Sequence, residues 1–371
     1  MKVLFAAGGT GGHINPALAV AQELRSRYPD ADILFVGTKN KMEANLVPKA
    51  GFRFASINIS GFQRSFALED IIYNLKTLAR LAVVTGQCKK IIKAFKPDVV
   101  VGFGGYVSGP VVRTAHKMGI KTAIHEQNAF PGKTNIALSK YADAVMLTSE
   151  NAKKHMKCSV TPVTTGLPVR EEILCADYNA ARKALGFNEN DTVVLSTGGS
   201  LGAESINRIM CEIISRYAEK NIIFVHGYGQ LGRFVPDELK KAGIDIENTK
   251  NLFVSEYIYD MAKYMAAADL VISRAGASSL AEIQALGKAA VLVPSPYVSE
   301  NHQYHNAMAL QEKNAAVVIE QKELNSEKIA VILDELLSGK EKYRTIGRNA
   351  RNMALTNAKK HICDIVLSLI K

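Results

Sequence analysis

Two glycine-rich stretches have the residue types and spacing to hold a phosphate. Gly8-Gly9-Thr10-Gly11-Gly12-His13 follows an apolar run at 3–7 and precedes a helical pattern over 16–25. Glycine lets backbone N–H groups approach an anion closely, and the positive end of the following helix faces the same point. Gly102-Phe103-Gly104-Gly105-Tyr106-Val107-Ser108-Gly109-Pro110 repeats the arrangement after the run 99–101. Each loop alone could be a tight strand-to-helix turn or a site of close helix-on-sheet packing. Two loops in one half of the chain could instead flank one pyrophosphate.

Other chemistries lack a residue they require. A dinucleotide fingerprint would need glycine where Ile14 stands, and the second strand ends in Gly37-Thr38 with no acid for a ribose, so a dehydrogenase is disfavoured. A Walker loop ending in Gly132-Lys133-Thr134 would need glycine at Gln127, and a zinc-protease motif at His125-Glu126 would need histidine at Ala129. His302 and His305, with Glu300 nearby, have no evident third ligand, so neither a metal nor another cofactor is expected. Asp30-Ala31-Asp32, after Pro29, reads as a turn rather than a metal-binding D-x-D.

The elements that would carry these loops follow from periodicity. Strands are expected at 3–7, 33–36, 99–101, 121–124, 144–147, 193–197, 222–225, 270–272 and 290–293, alternating with helical patterns. That alternation predicts an α/β fold with parallel sheets covered on both faces. A second glycine loop-and-helix, from Gly198-Gly199, echoes the first, which predicts two similar domains. Pro162, Gly166 and Pro168 mark 159–168 as the linker.

The 371 residues are 47% hydrophobic and 22% charged, enough to bury two cores without staples. Five cysteines without a C-x-x-C pair are expected to be reduced thiols, most of them buried. No signal peptide is expected, and the longest uncharged interior stretch, 99–112, is too short to cross a bilayer. The formal net charge of +11 lies wholly in the N-terminal half, where residues 1–165 hold 22 Lys and Arg against 10 Asp and Glu. Between Asp70 and Asp98 stand Lys76, Arg80, Lys89, Lys90, Lys93 and Lys96 with no acid. Ile71, Leu75, Leu78 and Ala82 form one apolar stripe there, and Ile72, Ala79 and Val83 another. Phe62, Arg64 and Phe66 lie just upstream. This segment fits a solvated basic face or a contact with anionic lipid, the second being favoured. Sparse aromatics and the lack of a DNA- or RNA-binding motif rank nucleic acid last.

Gly8-Gly9-Thr10-Gly11-Gly12-His13-Ile14-x-Pro16-Ala17-Leu18-Ala19, Gly104 to Pro110, and His125-Glu126-Gln127-Asn128 together resemble the MurG family of bacterial N-acetylglucosaminyltransferases. Gly166-Leu167-Pro168-Val169-Arg170, Gly198-Gly199-Ser200-x-Gly202-Ala203, Arg274-x-Gly276-Ala277 with Glu282, and Gln303-Tyr304-x-Asn306-Ala307 continue the match in order. The resemblance implies the GT-B fold: two Rossmann-like doubly wound parallel-sheet domains facing across a cleft. It assigns 1–165 to acceptor and membrane, 166–349 to the UDP-sugar donor, and a C-terminal helix at 350–371 that packs back on the first domain. It implies inverting transfer of N-acetylglucosamine from UDP-N-acetylglucosamine to undecaprenyl-pyrophosphoryl-N-acetylmuramyl-pentapeptide (lipid I), giving lipid II, at the cytoplasmic face of the cell membrane. The implied partners are those two substrates, an anionic inner-leaflet surface and other cell-wall synthesis proteins.

By the same resemblance, Thr10, Gly11, Gly12, Gly104, Gly105, Tyr106 and Ser108 would hold the acceptor pyrophosphate. The transfer itself needs a group to take the acceptor hydroxyl's proton: His13 comes first unless it is a structural histidine that bonds its loop, and Glu126 second unless it organises its loop through Asn128. Ser200 and its helix would meet the donor phosphates, and the backbone of Ile258 would read uracil. Ala277, Ser278, Ser279, Leu280, Ala281 and Glu282 would line the nucleotide pocket, with Glu282 on the ribose. Arg170 would lie near the diphosphate, and Asn128 and Gln303 near the sugar. A UDP-N-acetylglucosamine 2-epimerase of the same fold is the alternative.

Overall fold

The computed structural model describes residues 1–59 and 83–370, which form two compact units: Met1–Pro168 with Asn357–Lys371, and Val169–Thr356. The first holds strands β1 (Lys2–Ala6), β2 (Asp32–Gly37), β3 (Arg53–Ser56), β4 (Val99–Gly102), β5 (Lys121–Glu126), β6 (Ala144–Leu147) and β7 (Val163–Thr164). They pair in parallel in the order β3-β2-β1-β4-β5-β6-β7. The second holds β8 (Thr192–Thr197), β9 (Ile222–Gly227), β10 (Leu252–Ser255), β11 (Leu270–Ser273), β12 (Ala289–Leu292) and β13 (Val317–Val318). Their order, also all parallel, is β10-β9-β8-β11-β12-β13. Both units are therefore doubly wound sheets of the Rossmann type, as expected.

The burial pattern explains the parallel arrangement. Along β1, Leu4 and Ala6 face one core, with Val107, Val111 and Val112 of the helix Gly105–Lys117 and Val84, Cys88, Ile92 and Phe95 of the helix over 83–95. Val3 and Phe5 face the other, with the helix Gly11–Arg27 and with Ile362, Cys363 and Val366 of the helix Ala358–Ser368. A strand buried on both faces needs a continuous apolar run, and the sequence supplies one.

Four strands lie outside the expected set: β3, β7, β10 and β13. They are the edges of the two sheets, and β7 falls inside the stretch read as linker. An edge strand pairs on one side and is less enclosed, so its apolar signal is weak. The chain changes units at 168/169 and 356/357. Instead of one C-terminal helix from 350, Glu341–Asn352 belongs to the second unit and Ala358–Ser368 to the first. All five cysteines are unpaired, but just two, Cys88 and Cys363, are buried, fewer than expected. Among the described residues no helix is long and apolar enough to cross a membrane.

Each unit buries one neutral histidine. His125, stacked on Phe103, bonds the Gly166 carbonyl through Nε2 at 2.9 Å, and His226 bonds Ser196 Oγ through Nδ1 at 2.8 Å. Burial pushes both down to about 4. Between that value and the unfolded pKa of about 6.5 the unfolded chain holds the extra proton, so stability is full above pH 6.5 and falls as pH drops towards 4. Each histidine is expected to cost its unit roughly 3 kcal/mol over that range. Urea unfolding of His226→Asn should show a flatter acid slope for the second unit, and an unchanged slope would count against this assignment.

Candidate active site

In each sheet the strand order reverses beside the first strand of its unit, between β1 and β4 and between β8 and β11. Such a reversal leaves a crevice beyond the carboxyl ends of the strands, because the flanking helices go to opposite faces. The loops after β1 and β4 are the two glycine stretches. Fold and motif thus point to one location in the first unit.

There the loops touch. Gly104 and Gly105 have φ of 89° and 72°, and a Cβ on Gly105 would collide with the Gly8 carbonyl oxygen. A Cβ on Gly104 would come 2.9 Å from His13 Cδ2, so the imidazole lies against the second loop. Thr10 Oγ1 is 3.1 Å from His13 Nδ1. The helices Gly11–Arg27 and Gly105–Lys117 start here with no acid in their first turns and no side-chain cap. Their first N–H groups lack intrahelical partners and carry partial positive charge. Thr10 and Gly12 are exposed, and Tyr106 packs over Gly9.

Ser108 departs from expectation. It is fully buried, with its hydroxyl 2.7 Å from the carbonyl oxygens of Ala6 and Gly104. It ties the second loop to β1 and cannot face a ligand. Glu126 is also buried: Oε1 accepts from Asn128 N at 2.9 Å and Nδ2 at 3.2 Å, and Oε2 from Gly132 N at 3.1 Å and Asn135 Nδ2 at 2.8 Å. Burial raises its pKa, against the pull of these donors. Its two oxygens are occupied in holding the loop after β5 together, including Asn128.

One residue in this region gave no sequence signal. Glu43, the first residue of the helix Glu43–Lys49, is fully buried. Its Oε1 accepts from Thr38 N at 2.9 Å and Thr38 Oγ1 at 2.7 Å, and its Oε2 from Gly9 N at 3.2 Å. A glutamate in a Lys-Met-Glu-Ala-Asn stretch reads as a surface charge until the fold brings it under the glycine loop.

On the helix over 83–95 the buried stripe leaves Lys89, Lys90 and Lys93 exposed, and Lys96 beyond its end is exposed too. Val83, from the second apolar stripe, is exposed. Lys76, Arg80, Phe62, Arg64, Phe66 and the remaining stripe residues lie outside the described residues.

In the second unit the loop after β8 turns at Gly199 and Gly202, with φ of 85° and 83°, and exposes Ser200. The helix after it, Glu204–Arg216, carries Glu204 in its first turn, paired with Arg208 at 2.8 Å, which offsets its positive end. The helix after β11, Ala277–Leu286, starts with no acid and no side-chain cap, so its positive end is not offset in the same way. Its residues divide by face. Ala277, Ser278, Ser279 and Glu282 are part-exposed, whereas Leu280 and Ala281 are buried, and Leu280 N–H bonds the Gly276 carbonyl. The side chains of Leu280 and Ala281 are therefore turned away from the part-exposed face that Ala277, Ser278, Ser279 and Glu282 present.

Glu282 Oε1 accepts from Arg170 Nε at 2.7 Å, so two expected ligand contacts hold each other. Ile258 is buried against Gly227 between the exposed Tyr257 and Tyr259. Gln303 Oε1 accepts from Ser295 N at 2.9 Å. Arg274, directly after β11, donates to Gln321 Oε1 at 2.7 Å, Ser205 Oγ at 3.1 Å and the Val293 carbonyl at 3.1 Å. Those partners are neutral, so its charge adds to the field of the helix start three residues on. Each unit therefore offers an anion-holding end, and the first also offers an oriented imidazole.

Known proteins match this arrangement along the whole chain. Residues 3–147 match the glycosyltransferase family 28 N-terminal domain, and 193–362 the glycosyltransferase family 28 C-terminal domain. The chain is 43% identical to the UDP-N-acetylglucosamine--N-acetylmuramyl-(pentapeptide) pyrophosphoryl-undecaprenol N-acetylglucosamine transferase of Desulforamulus reducens, covering 100% of this chain and 99% of that one. The enzyme of the same name from Acetivibrio thermocellus is 41% identical at the same coverage. The crystal structure of Acinetobacter baumannii MurG superposes with a TM-score of 0.80 at 29% identity over 99% of each chain. A UDP-GlcNAc 2-epimerase from Neisseria meningitidis shares the fold, with a TM-score of 0.66 at 16% identity over 99% of this chain and 100% of that one. The chain belongs to glycosyltransferase family 28, in the MurG family that its full-length relatives represent.

Proposed function

We propose that the chain transfers N-acetylglucosamine from UDP-N-acetylglucosamine to the 4-hydroxyl of lipid I, with inversion, to give lipid II. The observation that carries this reading is the apposition of the two glycine loops around His13, in a chain that aligns end to end with relatives named for that transfer. An epimerase has no use for a second anion-holding loop or for the exposed lysines at 89, 90, 93 and 96.

The acceptor pyrophosphate lies at the uncapped helix starts of Gly11, Gly12 and Gly105. Thr10 orients the His13 ring through Nδ1, and the imidazole takes the proton of the acceptor hydroxyl as it attacks the anomeric carbon. Glu126 acts through position: it fixes Asn128 beside the sugar. UDP lies in the second unit, its diphosphate at Ser200, Arg274 and the Ala277–Leu286 helix start with Arg170 nearby, its ribose on Glu282, its base on the Ile258 backbone, with Gln303 near the sugar. As the glycosidic bond breaks, charge builds on the leaving diphosphate, and fixed N–H groups stabilise it without reorganising. The lysine face at 89–96 binds anionic lipid at the cytoplasmic side of the membrane, which brings the acceptor to the first unit.

Three outcomes test this reading. UDP should be released from UDP-N-acetylglucosamine only when a lipid I analogue is present, with a β-1,4 disaccharide as product; release or epimerisation without acceptor would overturn it. His13→Ala should keep UDP affinity and lose about 10²–10⁴-fold in kcat, and retained turnover would remove His13 as base. Changing Lys89, Lys90 and Lys93 to Glu should abolish co-sedimentation with phosphatidylglycerol vesicles, and the parent's binding should weaken with salt. Equal binding by parent and variant would place the membrane contact elsewhere.

A further inference from the structure

Glu43 passes between two glycines. A Cβ on Gly8 would come 2.7 Å from its Oε1, and one on Gly37 would collide with its Cγ, so the side chain fills the gap between the ends of β1 and β2. None of the salt bridges among the described residues involves it. The carboxylate is held by three donors, two from Thr38 and the Gly9 N–H. A buried carboxylate is retained when such donors satisfy it, and breaking the set leaves the remaining groups unpaired.

Gly9 is the residue whose φ of 92° turns the first loop from β1 into its helix. Its N–H is engaged by Glu43 and so is not offered to a ligand. We infer that Glu43 is the positioning residue of the first glycine loop: by holding Gly9 N–H it fixes the turn that presents Gly11, Gly12 and His13 to the acceptor. This rests on the acceptor reading above. Glutamate suits the task because all three partners donate. A glutamine could accept from Thr38 through its oxygen, but its amide nitrogen would then meet Gly9 N–H donor to donor.

Kinetics of Glu43→Gln with a lipid I analogue test this, alongside UDP titration calorimetry. The acceptor kcat/KM should fall at least tenfold while UDP affinity stays within twofold of the parent. Thr38→Val, which removes one of the three donors, should move the acceptor term the same way by less, and Thr38→Ser should restore it. That pair carries the test if Glu43→Gln does not fold. An acceptor term within twofold of the parent in Glu43→Gln, with Thr10→Val impaired in the same assay, would overturn the role of Glu43 and leave the acceptor site standing. If Thr10→Val were silent too, the acceptor site itself would be misassigned and the inference would fall with it. Equal losses in acceptor kinetics and UDP affinity would mark Glu43 as a general structural residue and also overturn it.

Discussion

In the first unit the Cα of Gly105 rests against the carbonyl oxygen of Gly8, at a spacing that admits no side chain. The contact exists because β1 and β4 are neighbours in register, Ala6 beside Gly102, so the chains leaving them emerge side by side. It is kept by Ser108, whose buried hydroxyl reaches both Ala6 and Gly104, and by positive φ angles that a residue with a Cβ adopts at a cost. Two helix starts and one imidazole are thereby fixed before any ligand arrives. Preorganisation of this kind is worth most where charge develops during the reaction, because the protein dipoles need not turn to meet it.

The second unit repeats the topology with different electrostatics. Glu204 offsets the start of the helix after its first strand, and the positive end is carried by the helix after β11 with Arg274 beside it. The Arg170–Glu282 pair is half-exposed on the arginine side, where an ion pair is worth about 1 kcal/mol or less. Such a pair holds the two side chains in place, and under the proposed function it yields to the donor nucleotide at little expense.

Much of this was legible in the sequence because the interior strands, buried on both faces, must read as apolar runs, and because the glycine loops follow them directly. What escaped was local. The four edge strands lack a second neighbour and so lack the signal. Ser108 lies in the motif but points inward, which a linear reading does not reveal. Leu280 and Ala281 fall on the buried side of a helix whose other side is part-exposed. Glu43 is a charge inside a polar stretch, and only the approach of Gly8, Gly37 and Thr38 turns it into a buried anchor. The basic segment was half legible: its lysines at 89, 90, 93 and 96 stand exposed over a buried stripe of Val84, Cys88, Ile92 and Phe95.

The most direct test of the claim that loop apposition makes the acceptor site is the substitution Gly105→Ala, read by acceptor-dependent turnover, UDP calorimetry and urea unfolding together. The added Cβ must push the second loop off Gly8. Turnover is expected to fall at least a hundredfold, while UDP affinity and the unfolding transition of the second unit stay at parent values. Turnover near the parent level in a folded Gly105→Ala chain would show that the two loops need not touch, and would contradict the account.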